Sequence, residues 1–263
     1  MGRAYQLGFS DGNDAMFAQQ DRYKKADTML AVLADHFPQG VTSLRILTVG
    51  CSAGFIERRL AEHADSVIGV DIDEPAIAFA RKTHPRENLR FELGDAMNLS
   101  FPTDGFDVVV CSQVYEHVPD ASQMMANILR VLRPGGVCYF AATNRFCVME
   151  QHYFLPFLSI VPVAWAHLYL RMAGRGEFYY ERHLGYFGLV RLCNGFERID
   201  YTKRLILEPD KFATSYLLSG KRLKSLAAHT FMRFAYWFFP GYVWLLRKPT
   251  SPQEYASSTK TEN

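Results

Sequence analysis

Leu47-Thr48-Val49-Gly50-Cys51-Ser52-Ala53-Gly54, followed by Val67-Ile68-Gly69-Val70-Asp71, decides the fold. Arg45 to Val49 is a short apolar run of the kind a buried parallel strand makes, and it stops at Gly50. Phe55-Ile56-Glu57-Arg58-Arg59-Leu60-Ala61 then reads as a helix, with Phe55, Ile56 and Leu60 on its apolar side. A strand, a turn of small residues and a helix in succession present backbone N–H groups to a ligand, and Gly50 and Gly54 are expected to clear its approach. The second run ends in Asp71, 21 positions after Gly50 (71 − 50). A βαβ unit brings a carboxylate to the two hydroxyls of a ribose at that distance. The glycines alone would serve a plain turn equally well. With the acid in register they point to a nucleotide moiety. A nicotinamide dinucleotide site would want glycines where Ser52 and Phe55 stand, so a pyrophosphate would sit poorly here.

Length and composition bound the rest. The 263 residues suffice for one large α/β domain with insertions, and 49% hydrophobic residues supply a full core and exclude global disorder. A net charge of +2 singles out no partner, but its distribution is uneven. From Lys211 to Gln253 there is no Asp or Glu, while Lys221, Arg222, Lys224, Arg233, Arg247 and Lys248 accumulate. A basic, aromatic-rich end of this kind suits a membrane surface or an anionic substrate. Basic residues interleaved with large aliphatics, without a recognition module, argue against nucleic acid. The five cysteines, Cys51, Cys111, Cys138, Cys147 and Cys193, form no C-x-x-C pair and read as reduced core thiols of a cytoplasmic protein. No signal peptide opens the chain. Gln151 to Leu170 carries no formal charge, yet Pro156, Pro162, His152, Ser159 and His167 argue against a membrane span.

Along the chain, residues 1–40 read as an N-terminal helical cover: Ala15–Phe37 is a helix whose apolar side closes over the sheet as a partial lid. Residues 41–145 form the binding core. Strand Arg45–Val49, helix Phe55–Glu62, strand Ser66–Asp71, a helix opened by Pro75, strand Leu89–Leu93 and strand Phe106–Cys111 follow one another. Asp120 caps a helix from Ala121 to Leu132, Pro134-Gly135-Gly136 makes a turn, and Val137–Ala142 is the fifth strand. This alternation predicts a parallel sheet with helices on both faces. Residues 146–183 are aromatic and proline-broken, an apolar cap insertion after strand five. Residues 184–250 complete the core with a helix at Leu184–Asn194, a strand-like alternation at Glu197–Leu207, a basic helical segment at Lys221–Phe239 and a last strand at Tyr242–Leu246. Residues 251–263 are a polar, flexible tail.

Taken together, these segments resemble the class I S-adenosylmethionine-dependent methyltransferases, in particular their quinone and small-molecule branch. The resemblance covers roughly Arg45 to Asn144. Ile46 to Gly54 is similar to the family's glycine-rich first motif, and Asp71 to its ribose-binding acid. Gly94-Asp95-Ala96 resembles the third-strand motif whose Asp receives the adenine amino group. Cys111-Ser112-Gln113-Val114-Tyr115-Glu116-His117-Val118 resembles the fourth-strand motif that walls the methionine end, and Leu129 to Gly136 the turn before strand five. The resemblance implies a Rossmann-like α/β fold with a seven-stranded, mostly parallel sheet, S-adenosyl-L-methionine as cofactor, and Gly50, Cys51, Ser52, Gly54, Asp71, Ile72, Asp95, Ala96, Ser112 and Gln113 as the residues that bind it. Two positions depart from the family. Thr48 stands where an acid is usual and Ser52 where glycine is usual, which implies a weaker hold on the donor's ammonium group and weaker binding overall.

A sulfonium methyl group is already activated, so the protein must align an acceptor behind it and, for a hydroxyl, remove a proton. His117, just past the fourth strand, is the candidate base. Tyr115, His152, Tyr180 and His183 are the candidate substrate contacts. No His, Cys and acid cluster has ligand spacing, so no metal is expected. The apolar insertion, and Trp237, Phe238, Phe239 and Trp244 near the end, suit a small or lipid-linked acceptor, oxygen before nitrogen or carbon, met at a membrane surface. A nucleotide-dependent oxidoreductase and a non-catalytic binding scaffold are the alternatives, and fold alone does not choose the acceptor.

Overall fold

The computed structural model describes Leu7 and residues 18–218 and 234–251. Its centre is a seven-stranded sheet in the order β3-β2-β1-β4-β5-β9-β8. These are β1 (Arg45–Val49), β2 (Ser66–Asp71), β3 (Leu89–Leu93), β4 (Phe106–Ser112), β5 (Leu132–Thr143), β8 (Glu197–Asp200) and β9 (Gly241–Arg247). β1 pairs in parallel with β2 and with β4, β2 with β3, and β4 with β5. β9 enters antiparallel between β5 and β8. The chain steps outward from β1 to β3 and then returns to β4 on the other side of β1. That reversal leaves a gap at the carboxyl ends of β1 and β4, where open α/β sheets take ligands.

Successive residues of the strands supply opposite faces. Leu47, Val49, Val109, Cys111 and Phe140 join Met124, Ile128 and Trp244 in one buried layer. Ile46, Val108, Val110 and Tyr139 join Met29, Leu33 and Ile77 in the other. The near-continuous apolar runs of β1 and β4 exist because both faces are covered. The first layer packs against α4 (Ala121–Val131), the second against α1 (Gln19–His36) and α3 (Glu74–Thr83). The Asp120 carboxylate caps α4, accepting from the N–H groups of Ser122 and Gln123 at 2.9 and 3.0 Å. All five cysteines are free and buried.

Between β5 and α6 (Tyr186–Leu192) lie a short hairpin of β6 (Met149–Glu150) and β7 (Leu155–Pro156) and then α5 (Val163–Met172). Leu155, Leu158, Ala166, Leu170 and Tyr179 give this segment a small core of its own.

Three expectations need correction. Pro134-Gly135-Gly136 is not a free turn but the start of β5. Gly135 N–H donates to Lys248 O at 2.9 Å and Lys248 N–H to Gly136 O at 2.8 Å, while the register against β4 shifts between Phe106 and Val108. Gly135 takes φ +74°, which lets the strand bulge there without breaking. The alternation at Glu197–Leu207 is a strand only to Asp200. The Asp200 carboxylate then accepts from Thr202 N–H at 2.8 Å and starts α7 (Thr202–Leu207). Trp244 is fully buried against Phe140 and Tyr242, so it belongs to the core and not to a headgroup boundary. Most of the expected Lys221–Phe239 helix, the start of the chain and its polar tail lie outside the described residues; Tyr236–Phe238 is a 3₁₀ turn.

Candidate active site

A crevice of about 480 Å³ opens at the carboxyl ends of β1, β2 and β4. Every expected cofactor residue lines it: Gly50, Cys51, Ser52, Gly54, Asp71, Ile72, Asp95, Ala96, Ser112 and Gln113. Gly50 and Gly54 also answer to the chain's own packing. Both have positive φ, and a Cβ on Gly50 would meet Val114 at 2.7 Å, one on Gly54 the Phe91 ring at 2.6 Å. That packing excludes a side chain at each.

Asp71 terminates β2 and holds the turn after β1. Its Oδ2 accepts from Ser52 N–H at 2.7 Å and its Oδ1 from Asp73 N–H at 3.0 Å. Burial pushes its carboxyl above the usual range, with those N–H groups pulling the other way. Each oxygen keeps a further lone pair for a ligand hydroxyl. Asp95, at the end of the β3 segment, accepts from Met97 N–H at 2.8 Å and so faces the crevice as a fixed acceptor. On the β4 side, Gln113 is held at φ +58° and its Oε1 accepts from Thr143 Oγ1 at 2.8 Å.

The floor of the crevice carries polar atoms with nothing to bond. Thr48 Oγ1, Ser52 Oγ and Glu57 Oε2 are buried without hydrogen-bond partners, and all three residues line the cavity. Buried oxygens that line a cavity without a protein partner are placed to bond a polar ligand or water. Glu57, in the first turn of α2 (Phe55–Leu60), is 2% exposed. Burial pushes its carboxyl up to about 7, partly offset by its own backbone and by the charge of Arg22. Arg22, Lys25 and Met29 bring one face of α1 to the opposite wall. Sequence reasoning missed Glu57, Arg22 and Lys25. The signal was present in the spacing of Arg22, Lys25 and Met29 along a single helix face and in an acid on the otherwise apolar start of α2.

His117 and His152 line the rim. Their rings lie edge to face with centroids 4.8 Å apart. The other substrate candidates fall elsewhere. Tyr115 is 2% exposed, donates its hydroxyl to Thr143 O at 2.8 Å and accepts from Leu184 N–H at 3.1 Å, a tether between β5 and the segment before α6. Tyr180 is about half exposed and does not line the crevice. His183 is buried behind His152, against Glu150.

The methyltransferase domain family matches residues 47–140, which span the crevice from β1 into β5. The ubiquinone biosynthesis O-methyltransferase of Coxiella burnetii is 35% identical over 103 residues, 38% of this chain and 44% of that relative; the chain spans less than half the relative's length. An S-adenosylmethionine-dependent methyltransferase of Methanosarcina mazei has the same fold at 20% identity, with a TM-score of 0.51 over 80% of this chain and 94% of the other. A Pyrococcus horikoshii protein reaches 0.56 at 17% identity, over 85% and 89% of the two chains. S-Adenosylmethionine needs an acceptor for its ribose, one for its adenine amine and polar oxygens for its amino-acid end, and Asp71, Asp95 and the Thr48–Ser52–Glu57 floor meet those needs. By motif, sheet order and crevice, residues 47–140 of this chain match the methyltransferase domain family and share its fold.

Proposed function

We propose that the chain transfers a methyl group from S-adenosylmethionine to the oxygen of a small, lipophilic acceptor. The observation that carries this reading is the set of orphaned oxygens in a crevice that Asp71 and Asp95 also line. Asp71 accepts the ribose hydroxyls, and Asp95 with the backbone at Ala96 takes the adenine edge. Glu57 and Thr48 receive the ammonium group, so Glu57 does the work of the acid missing at position 48. The affinity loss expected from Thr48 is thereby offset.

The bound donor supplies a methyl group activated on sulfur. The protein's part is alignment, proton removal and exclusion of water. The bond from sulfur to the methyl carbon breaks as the bond from the acceptor oxygen to that carbon forms. The hydroxyl proton is drawn off at His117, on the rim beside His152. A positioned general base of this kind contributes roughly 10²–10⁴-fold.

The acceptor's lipophilic character is supported by the segment between β5 and α6. α5 turns Ala166 and Leu170 inward, while Trp165, Leu168 and Met172 recur at positions i, i+3 and i+7 on its outer face and are exposed. Phe154, also exposed, lines the crevice mouth. Large apolar side chains kept in water mark a contact surface, and a lipid–water boundary that also holds a hydrophobic acceptor fits this one. Among the described residues, no helix is long and apolar enough to cross a membrane.

The test is calorimetric titration with S-adenosylhomocysteine, followed by transfer of labelled methyl to a panel of hydrophobic phenols and hydroxyquinones. Binding near one equivalent and labelling of phenols over amines support the reading. No binding of the spent donor would remove it.

A further inference from the structure

The rim of the crevice holds more ionisable groups than methyl transfer needs. Glu116, His117 and His152 each offer one ligand atom, and these lie within 4.8 Å of one another. Glu116 and His117 follow β4, while His152 comes from the hairpin after β5, so two separate parts of the chain converge here. Glu116 is fully buried, and both histidines line the crevice. Behind them stands a second layer of acids. Glu150 Oε1 lies 2.6 Å from His152 Nδ1 and 3.3 Å from His183 Nε2, and Glu181 Oε1 lies 3.8 Å from His117 Nδ1.

We infer that Glu116, His117 and His152 bind a divalent transition-metal cation at the crevice rim, with Glu150 as the carboxylate that orients His152. Three arguments lead there. Two imidazoles and one carboxylate, all from fixed positions, form a ligand set typical of catalytic metal sites, which keep coordination positions open for water or substrate. The Glu150 carboxylate can only accept from His152 Nδ1. The imidazole therefore carries a proton on Nδ1 and leaves Nε2 as the nitrogen that would meet a metal, the arrangement in which an outer carboxylate orients a metal-binding histidine. Burial of Glu116 and Glu150 in one cluster is costly, and a dication compensates such charge more completely than a histidine that shares its proton.

The site deepens the proposed function and, in its catalytic role, rests on it. A cation on the crevice side of His117 and His152 would take the acceptor's hydroxyl oxygen as a ligand and lower its pKa. Held by Glu116, His117 and His152, it would supply Lewis-acid help to loss of that hydroxyl's proton to water, and His117 would then act through the metal. Without the cation, His117 takes the proton directly.

The experiment uses the full-length protein, dialysed against a chelator. Mn²⁺ is titrated with electron paramagnetic resonance of the free ion, and Zn²⁺ by calorimetry. Co²⁺ loading of the wild type is followed by its visible absorption. S-Adenosylhomocysteine binding is measured in parallel. One equivalent of cation is expected, with a cobalt spectrum of nitrogen and oxygen ligation. Glu150→Gln is expected to weaken binding about 10–100-fold, the usual cost of losing an outer-shell partner, and His152→Asn more. Cation binding without spent-donor binding would sink the methyl-transfer reading and leave the metal site standing. The metal site is overturned by spent-donor binding with no cation bound by the wild type, or by one equivalent retained undiminished in folded His152→Asn. Binding of Mg²⁺ alone, with Mn²⁺, Zn²⁺ and Co²⁺ refused, overturns the transition-metal assignment.

Discussion

Ser52 N–H donates to Asp71 Oδ2 at 2.7 Å, so the turn that follows β1 and the acid that ends β2 form one unit. The bond makes the crevice wall before any ligand arrives, and it couples ribose binding to the shape of the turn. Asp71→Ala removes both. Affinity for S-adenosylhomocysteine should fall by about 100-fold or more, the loss of at least two charge-assisted hydrogen bonds at about 1.5–3 kcal/mol each. Asp71→Asn keeps one acceptor and should lose less. Calorimetric titration of the two variants separates the cases; equal affinities for wild type and Asp71→Ala would contradict the ribose assignment.

Glu57 should make donor binding depend on pH. Its carboxyl is pushed up to about 7 by burial, with the Asp71 charge adding to the shift and Arg22 opposing it. Below that value it is neutral and offers the donor's ammonium no charge. Above it, it is ionised and attracts the ammonium, which in turn favours ionisation. Affinity for S-adenosylhomocysteine should therefore rise as pH goes from about 6 to about 8, and Glu57→Gln should flatten the profile. The same raised carboxyl makes a stability contribution that is greatest below its unfolded range and is lost as pH rises through about 7, so free protein should melt slightly lower at pH 8 than at pH 6 while bound protein should not. Thermal melts with and without ligand read both signs.

Tyr115 should behave as a structural residue. Tyr115→Phe leaves Leu184 N–H and Thr143 O without their partner and should cost about 1–3 kcal/mol of stability by denaturant titration. Spent-donor affinity should stay within about twofold, since Tyr115 does not line the crevice. A large loss of affinity at unchanged stability would return Tyr115 to the site.

The outer face of α5 should carry lipid contact. Trp165→Ser with Met172→Ser removes two exposed apolar side chains, each worth about 1.5–3 kcal/mol when fully buried. Co-sedimentation with anionic vesicles should drop at least tenfold, with donor affinity unchanged. Equal sedimentation of variant and wild type, or none for either, would remove the membrane-surface reading.

How much of this was legible in the residues follows from distance along the chain. β1 and β4 stand where their apolar runs placed them, because a strand buried on both faces needs only local composition to declare itself. Glu197–Leu207 misled for a related reason. Ile199, Tyr201, Leu205 and Leu207 satisfy an alternating pattern in sequence, but Asp200 caps the next turn and Tyr201 and Leu205 bury as a helix pair. For Gly54 the sequence could not show a second constraint, since the contact that excludes a Cβ there comes from Phe91, two strands away in the sheet.

By itself the sequence determined the sheet, the position of the donor crevice and the acids at 71 and 95, because strand, turn, helix and strand-end acid lie within one continuous stretch and interact along it. Only the tertiary structure decided that Glu57 is buried beside Thr48 in the crevice, that Tyr115 is a tether, and that His183 and Glu150, 33 positions apart, pack with His152 beside Glu116 and His117. The last of these relations arises when a hairpin after β5 folds back across the end of β4. Residue spacing carries no record of such a meeting, because the loop between the partners has no period that ties one to the other.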